Sequence, residues 1–167
     1  MQKETILVRQ VAAALREKGM HLCTAESCSG GLLGHIITSL PGSSDFYLGG
    51  FITYSNEAKQ HWLGVSAEIL EKHGAVSRET VLAMAQSVRG ALAPAFPADH
   101  VIGVSISGVA GPTGGTPKKP VGTVWIGISM SGMAEAFCFH FKGKRNSIKR
   151  QSAIQALAIL QEILSAQ

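Results

Sequence analysis

Three short stretches of this sequence gather residue types that can attack and hydrolyse a carbonyl compound. The first is Thr24-Ala25-Glu26-Ser27-Cys28-Ser29-Gly30-Gly31. It reads as a strand–turn–helix junction, where a side chain in the turn faces outward and helix-start N–H groups can stabilise an oxyanion. Gly30 and Gly31 leave room for a ligand to reach the backbone. Ser27 or Ser29 could supply a nucleophile there, or could simply cap the helix, the commonest role of serine at such a place. Cys28 is a rival nucleophile, with no histidine nearby in sequence to activate it. Glu26 either hydrogen-bonds within the site or, the reading preferred, holds the turn.

The second stretch, Thr53-Tyr54-Ser55-Asn56-Glu57-Ala58-Lys59, offers a base. Serine needs help to lose its proton, and no histidine falls in any of the three stretches. A lysine can take that proton when burial and neighbouring dipoles favour its neutral form. Lys59 falls one turn into a helix whose start is marked by Ser55 and Glu57. Tyr54, just before that helix, could orient the lysine or pass a proton. The alternative is an ordinary solvent-facing lysine. The third stretch, Ser105 to Gly115, carries five glycines or prolines in its last eight residues. It matches neither G-x-x-x-x-G-K nor G-x-G-x-x-G. Its amides could line an anionic or sugar site, or the stretch could be a tight connection between two strands.

The elements that must position these stretches follow from hydrophobic periodicity. Residues 4–18 predict a helix with Leu7, Val11, Ala14 and Leu15 on one face, ended by Gly19. A short strand follows over 20–25, then a helix opened by Gly30-Gly31 and stopped by Pro41-Gly42. Residues 46–54 read as extended, and Ser77 caps a helix that buries Val81, Met84, Ala85, Val88 and Leu92. The runs 101–106 and 121–128 are almost continuously apolar, as strands covered on both faces should be. Residues 134–141 supply another strand, close enough to 121–128 for a hairpin. A last helix over 146–164 buries Ile154, Leu157, Leu160 and Leu164. This alternation predicts an α/β fold, a three-layer α/β/α sandwich with a mixed, mostly parallel sheet. In such folds ligands sit at strand ends, where all three stretches fall.

Composition bounds the function further. The 167 residues suit one domain, taken as residues 1–167. Apolar residues at 46% and charged ones at 16% exclude a disordered chain. No run is long enough for a membrane span, and the first twenty residues lack a signal peptide's apolar core. The expectation is a soluble cytoplasmic protein with no membrane partner. Cys23, Cys28 and Cys138 form no C-x-x-C pair, which suits a reducing compartment. The six histidines show no metal-ligand spacing, so neither metal nor cofactor is expected. The net charge of +4 owes much to Lys142, Lys144, Arg145, Lys149 and Arg150, which crowd into nine residues. That patch suits one anionic group on a small molecule, or is a solvated helix start. Aromatics are 6% of the chain and none falls in the patch, which argues against a nucleic-acid partner.

The linked blocks T-A-E-S-C-S-G-G, F-I-T-Y-S-N-E-A-K, H-G-A-V-S, S-I-S-G-V-A-G-P-x-G-G and K-P-V-G-T-V-W resemble the C-terminal domain of the competence/damage-inducible protein CinA. The similarity covers roughly residues 5–164 and is stronger to the family's stand-alone members, the nicotinamide-nucleotide amidohydrolases. The amino-terminal domain of full-length CinA is not expected here. The resemblance implies hydrolysis of nicotinamide mononucleotide to the nicotinate form and ammonia, with that nucleotide as the small-molecule partner. It puts the family's serine–lysine pair on Ser27 and Lys59 and its tyrosine on Tyr54. Relatives often carry threonine at the position of Ser29, which favours Ser27 as the nucleophile. Amides near Ser29, Gly30 and Gly31 would then hold the oxyanion, Gly108 and Gly111 would line the substrate, and Arg145 would bind the 5′-phosphate. Lys144 and Arg150 are lesser candidates for that phosphate. Thr113, where many relatives carry aspartate or glycine, departs from the pattern. A homodimer or higher homo-oligomer is the family-based expectation. The rival class is a catalytically silent nucleotide- or protein-binding module. The joint presence of Ser27, Tyr54 and Lys59 speaks against it.

Overall fold

An amphipathic first helix begins the chain in the computed structural model, which describes residues 2–91 and 95–166. This helix, α1 (Gln2–Glu17), turns Val8, Val11, Ala12 and Leu15 inward, with Leu7 and Ala14 half-buried beside them. The chain continues through β1 (His21–Glu26), α2 (Leu32–Thr38), β2 (Tyr47–Ile52), α3 (Asn56–Leu63), α4 (Ala67–His73) and α5 (Arg78–Ala91). It ends with β3 (Val101–Gly108), the hairpin β4 (Thr123–Met130) and β5 (Met133–His140), and the long helix α6 (Arg145–Ser165).

The sheet order is β2-β1-β3-β4-β5. β2, β1 and β3 are parallel, while β4 runs against both β3 and β5. Four of the five strands therefore point the same way, in the mixed, mostly parallel sheet that the pattern predicts. Successive strand side chains go to opposite faces. Leu22, Ile102 and Val104 pack under α1, α2 and α6, whereas Cys23, Ala25 and Val101 pack under α3, α4 and α5. The two cores give the three layers. Helix α5 lies unusually close to the sheet because Gly103 and Gly127 have no side chains there. A Cβ on Gly103 would stand 2.1 Å from Ala85 O, and one on Gly127 2.6 Å from Val81 O. Ser105 closes the same contact by donating from Oγ to Val81 O at 2.6 Å.

Two readings of the sequence need correction. Helix α4 has no counterpart in the predicted elements. Ser66 caps it by accepting from Ile69 N, and Leu70 is its buried residue, so its apolar signal is too short to register. Ile154 on α6 is half-buried rather than in the core, where Ala153, Ala156, Leu157, Leu160 and Leu164 are buried. Leu92, expected on the inner face of α5, lies outside the described residues.

Candidate active site

The end of β1 carries the nucleophile-type turn. Ser27 N donates to Ile106 O at 2.9 Å, which hangs the turn on the neighbouring strand β3. Gly30 and Gly31 then take φ of 62° and 90°, left-handed values that glycine adopts without strain, and the chain rolls into α2. Glu26 is buried beneath this turn and accepts from the amides of Gly31, Leu33 and Gly34 at 3.0, 3.1 and 2.8 Å. A carboxylate there satisfies the orphan amides of the first helical turn and complements its dipole. Glu26 therefore holds the turn, as preferred from the sequence. The consequence is that the start of α2 is closed to a ligand. Gly31 N is used by Glu26, and Gly30 N donates to Ser27 O at 3.0 Å. Among the turn amides, those of Cys28 and Ser29 donate to no other described residue.

Lys59 reaches Ser27 from the adjacent strand's end. Thr53 N donates to Glu26 O at 2.8 Å, so the chain leaving β2 runs beside the turn. Ser55 starts α3 by accepting from Ala58 N at 3.1 Å, which carries Lys59 back over the strand ends. The lysine is only 1% exposed. Its Nζ lies 3.0 Å from Ser27 Oγ, 2.9 Å from Thr53 O and 3.4 Å from Tyr54 O. A neutral amine fits this set of partners well. Two N–H groups serve the two carbonyls, and the lone pair is left for the Ser27 hydroxyl proton. Burial pushes the Lys59 pKa below the ordinary lysine value, against smaller opposing effects of Cys28 and Glu57. The rival nucleophile is disarmed by the same burial, which pushes the Cys28 thiol up to about 12. Cys28 is thus a thiol, not a thiolate, at neutral pH.

The side chain of Tyr54 meets Arg145 rather than Lys59. Only its backbone carbonyl touches the lysine; its side chain is 59% exposed and its hydroxyl accepts from Arg145 Nη2 at 2.6 Å. Arg145, at the start of α6, also donates from Nη1 to Gly111 O at 2.7 Å. Ser27, Lys59, Tyr54, Gly108, Gly111 and Arg145 all line one cavity of about 310 Å³. Ser29, Gly30 and Gly31 do not line it. The Ser29 side chain is fully buried with its Oγ unpartnered, so any contact of Ser29 with substrate would run through its amide. Lys144 and Arg150 also stay out of the cavity, Arg150 because its guanidinium grips Glu4 at 2.5 and 2.6 Å. Thr113 is at the cavity wall. Among the described residues no cluster of three His, Cys, Asp or Glu could hold a metal ion, and no helix is long and apolar enough to cross a membrane.

One wall of the cavity escaped the sequence reading. Ala75 and Val76 line it, held by Ser107 Oγ, which donates to Ala75 O at 2.7 Å from the end of β3. Asn56 lines it too. The block H-G-A-V-S contains the wall residues, but nothing in its spacing says that residue 75 meets residue 107.

An α/β sandwich with a buried serine–lysine pair at the carboxyl ends of its parallel strands is the class that fold and site define. The chain belongs to the CinA C-terminal domain family, which it matches over residues 4–164. It is 44% identical to a CinA-like protein of Syntrophotalea carbinolica over 95% of this chain and 37% of that protein. A CinA-like protein of Thermotoga maritima is also 44% identical, over 92% of this chain and 36% of its own length. The chain thus spans little more than a third of the curated relatives it matches. Among solved structures, a CinA-superfamily protein from Klebsiella pneumoniae superposes with a TM-score of 0.90 at 36% identity, covering 98% of this chain and 99% of that one. The E. coli member gives a TM-score of 0.85 at 31% identity, covering 95% and 88%.

Proposed function

We propose that this chain hydrolyses the carboxamide of nicotinamide mononucleotide to nicotinate mononucleotide and ammonia. The observation that carries the reading is the 3.0 Å contact between Ser27 Oγ and the Nζ of a lysine withdrawn from water. A lysine held by two carbonyls and a serine hydroxyl, with no carboxylate among these partners, is poised to act as a base. Ser27 Oγ attacks the carboxamide carbon as its proton passes to Lys59. The carbonyl electrons move to oxygen, which backbone amides of the turn after Ser27 would stabilise. The C–N bond then breaks, and the Lys59 ammonium returns the proton to the departing ammonia. Water attacks the acyl-enzyme, giving its proton to Lys59, which hands it back to Ser27.

Arg145 keeps N–H donors beyond the two engaged by Gly111 and Tyr54, and these suit a 5′-phosphate. A cavity of about 310 Å³ lies at the small end of ligand sites and suits a mononucleotide better than a dinucleotide. The test is ammonia release from nicotinamide mononucleotide by the purified chain, with nicotinate mononucleotide as the matching product. Binding of the nucleotide without ammonia release would make the chain a silent binding module instead.

A further inference from the structure

A second cavity lies on the other side of the nucleophile turn, between α1, α2 and α6. It encloses about 550 Å³ and shares no lining residue with the catalytic cavity. Its apolar lining comes from Val8, Leu32, Ile36 and Leu40. Its charged lining is unbalanced. Glu4 is already taken by Arg150 in a two-pronged pair, while Arg9 and Lys149 make no hydrogen bond or ion pair with any described residue. Lys149 is half-buried, and its Nζ sits against the turn, 3.3 Å from where a Cβ on Gly30 would stand. An ammonium partly stripped of water and given no acceptor is uncompensated. An anion bound here would supply the missing partner, and the apolar walls would take up its body.

We propose that this groove is a second ligand site, for a small amphipathic anion with an apolar or aromatic body and one sulfonate, carboxylate or phosphate. The site is independent of the hydrolytic reading. Its place behind Gly30 puts its ligand one residue layer from the turn that carries Ser27. Charge complementarity selects this occupant: a half-buried lysine and an exposed arginine, neither paired with a described residue, stand next to four aliphatic side chains and match a molecule polar at one end only.

Anilinonaphthalene sulfonate has this chemistry, and uncharged phenylnaphthylamine is its control. The sulfonate is expected to bind the folded chain saturably, with enhanced fluorescence. Lys149→Gln and Arg9→Gln should each weaken it by about tenfold, the worth of one charge-assisted hydrogen bond. Binding of the uncharged control should not change in either variant, and neither variant should lower the melting temperature. Arg145→Gln should leave the sulfonate's affinity as it is. Unchanged affinity in both cation variants overturns the proposal. So does a loss confined to Arg145→Gln, which would put the probe in the catalytic cavity. Absence of saturable binding overturns it as well, including the case in which light scattering finds a dimer that seals the groove with a second copy.

Discussion

The two sides of the turn Ser27–Gly31 are built on opposite plans. In front, the polar side chains that would do chemistry are already held by protein. Lys59 rests on two carbonyls, Arg145 on Gly111 O and the Tyr54 hydroxyl, and Ser107 on Ala75 O. Behind, apolar walls flank Arg9 and Lys149, which pair with no described residue. Catalysis gains from dipoles fixed before the substrate arrives, because no reorganisation is then needed in the transition state. Binding an anion asks for the reverse, donors still free to be satisfied by it. The difference teaches where to look for each kind of function on one small domain, and each prediction below strikes one of the fixed contacts in front.

The largest effect belongs to Ser27→Ala. Removing a nucleophile should lower kcat by on the order of 10⁴-fold or more while nucleotide binding and the fold persist. Ser29→Ala should cost far less, since its hydroxyl is buried away from the cavity and bonds nothing. Ammonia-release assays on the pair decide it: an active Ser27 variant beside an inactive Ser29 variant would reverse the assignment.

Lys59→Arg comes next, with a loss of about 10²–10⁴-fold, the usual worth of a general base. The positive charge is kept, but guanidinium cannot give up its proton. Because burial lowers the folded-state pKa of Lys59, the wild-type rate should rise with pH along a limb below the ordinary lysine range. The arginine variant should lack that limb. The same shift acts on stability. The unfolded chain binds a proton at Lys59 up to about pH 10.4, whereas the folded chain releases it sooner. Stability should therefore rise with pH between the folded and unfolded values. Lys59→Met should abolish that slope, while leaving the carbonyls of Thr53 and Tyr54 without their donor. An arginine variant with near-normal kcat would make Lys59 a structural cation.

Arg145→Ala should raise KM for nicotinamide mononucleotide by about ten- to a hundredfold, the value of a charge-assisted pair. KM for the dephosphorylated riboside should barely move. Equal effects on both substrates would shift the phosphate to the glycine-rich loop 111–115.

How legible these contacts were in the sequence depends on their range. The central strands announce themselves because both faces of β3 and β4 are covered, leaving almost unbroken apolar runs. Ser27 and Lys59 were candidates by type and place, and the family resemblance chose them over Ser29, Cys28 and a solvated lysine. The burial of Lys59 could not be read in this way. A lysine one turn into a short helix reads as solvated, and it is withdrawn only because Thr53 N pairs with Glu26 O across two strands. Arg145 and Tyr54 are 91 residues apart, and Ser107 and Ala75 are 32 apart. No local pattern reports such pairs. The closed start of α2 was half visible: the sequence favours Glu26 as the holder of the turn, but its three amide partners, five to eight residues on, show only in the fold.

The smallest expected effect sharpens the comparison most. Tyr54→Phe removes one hydroxyl, the acceptor for Arg145 Nη2, and leaves the backbone carbonyl near Lys59 untouched. If the phenol only steadies the guanidinium, the variant loses one hydrogen bond's worth of orientation. KM for nicotinamide mononucleotide should then rise by about three- to tenfold, in line with a net 0.5–1.5 kcal/mol for a typical hydrogen bond. The kcat and the pH limb of Lys59 should be unchanged, and the riboside should be hydrolysed as by wild type. A tyrosine that relays the proton to ammonia predicts a different split, with kcat down by about 10²-fold or more on both substrates. The geometry favours the first outcome, because the hydroxyl is 2.6 Å from a guanidinium nitrogen while the lysine amine contacts only the main chain of that residue. Steady-state constants for two substrates and one variant therefore separate a residue that positions the phosphate clamp from one that moves a proton.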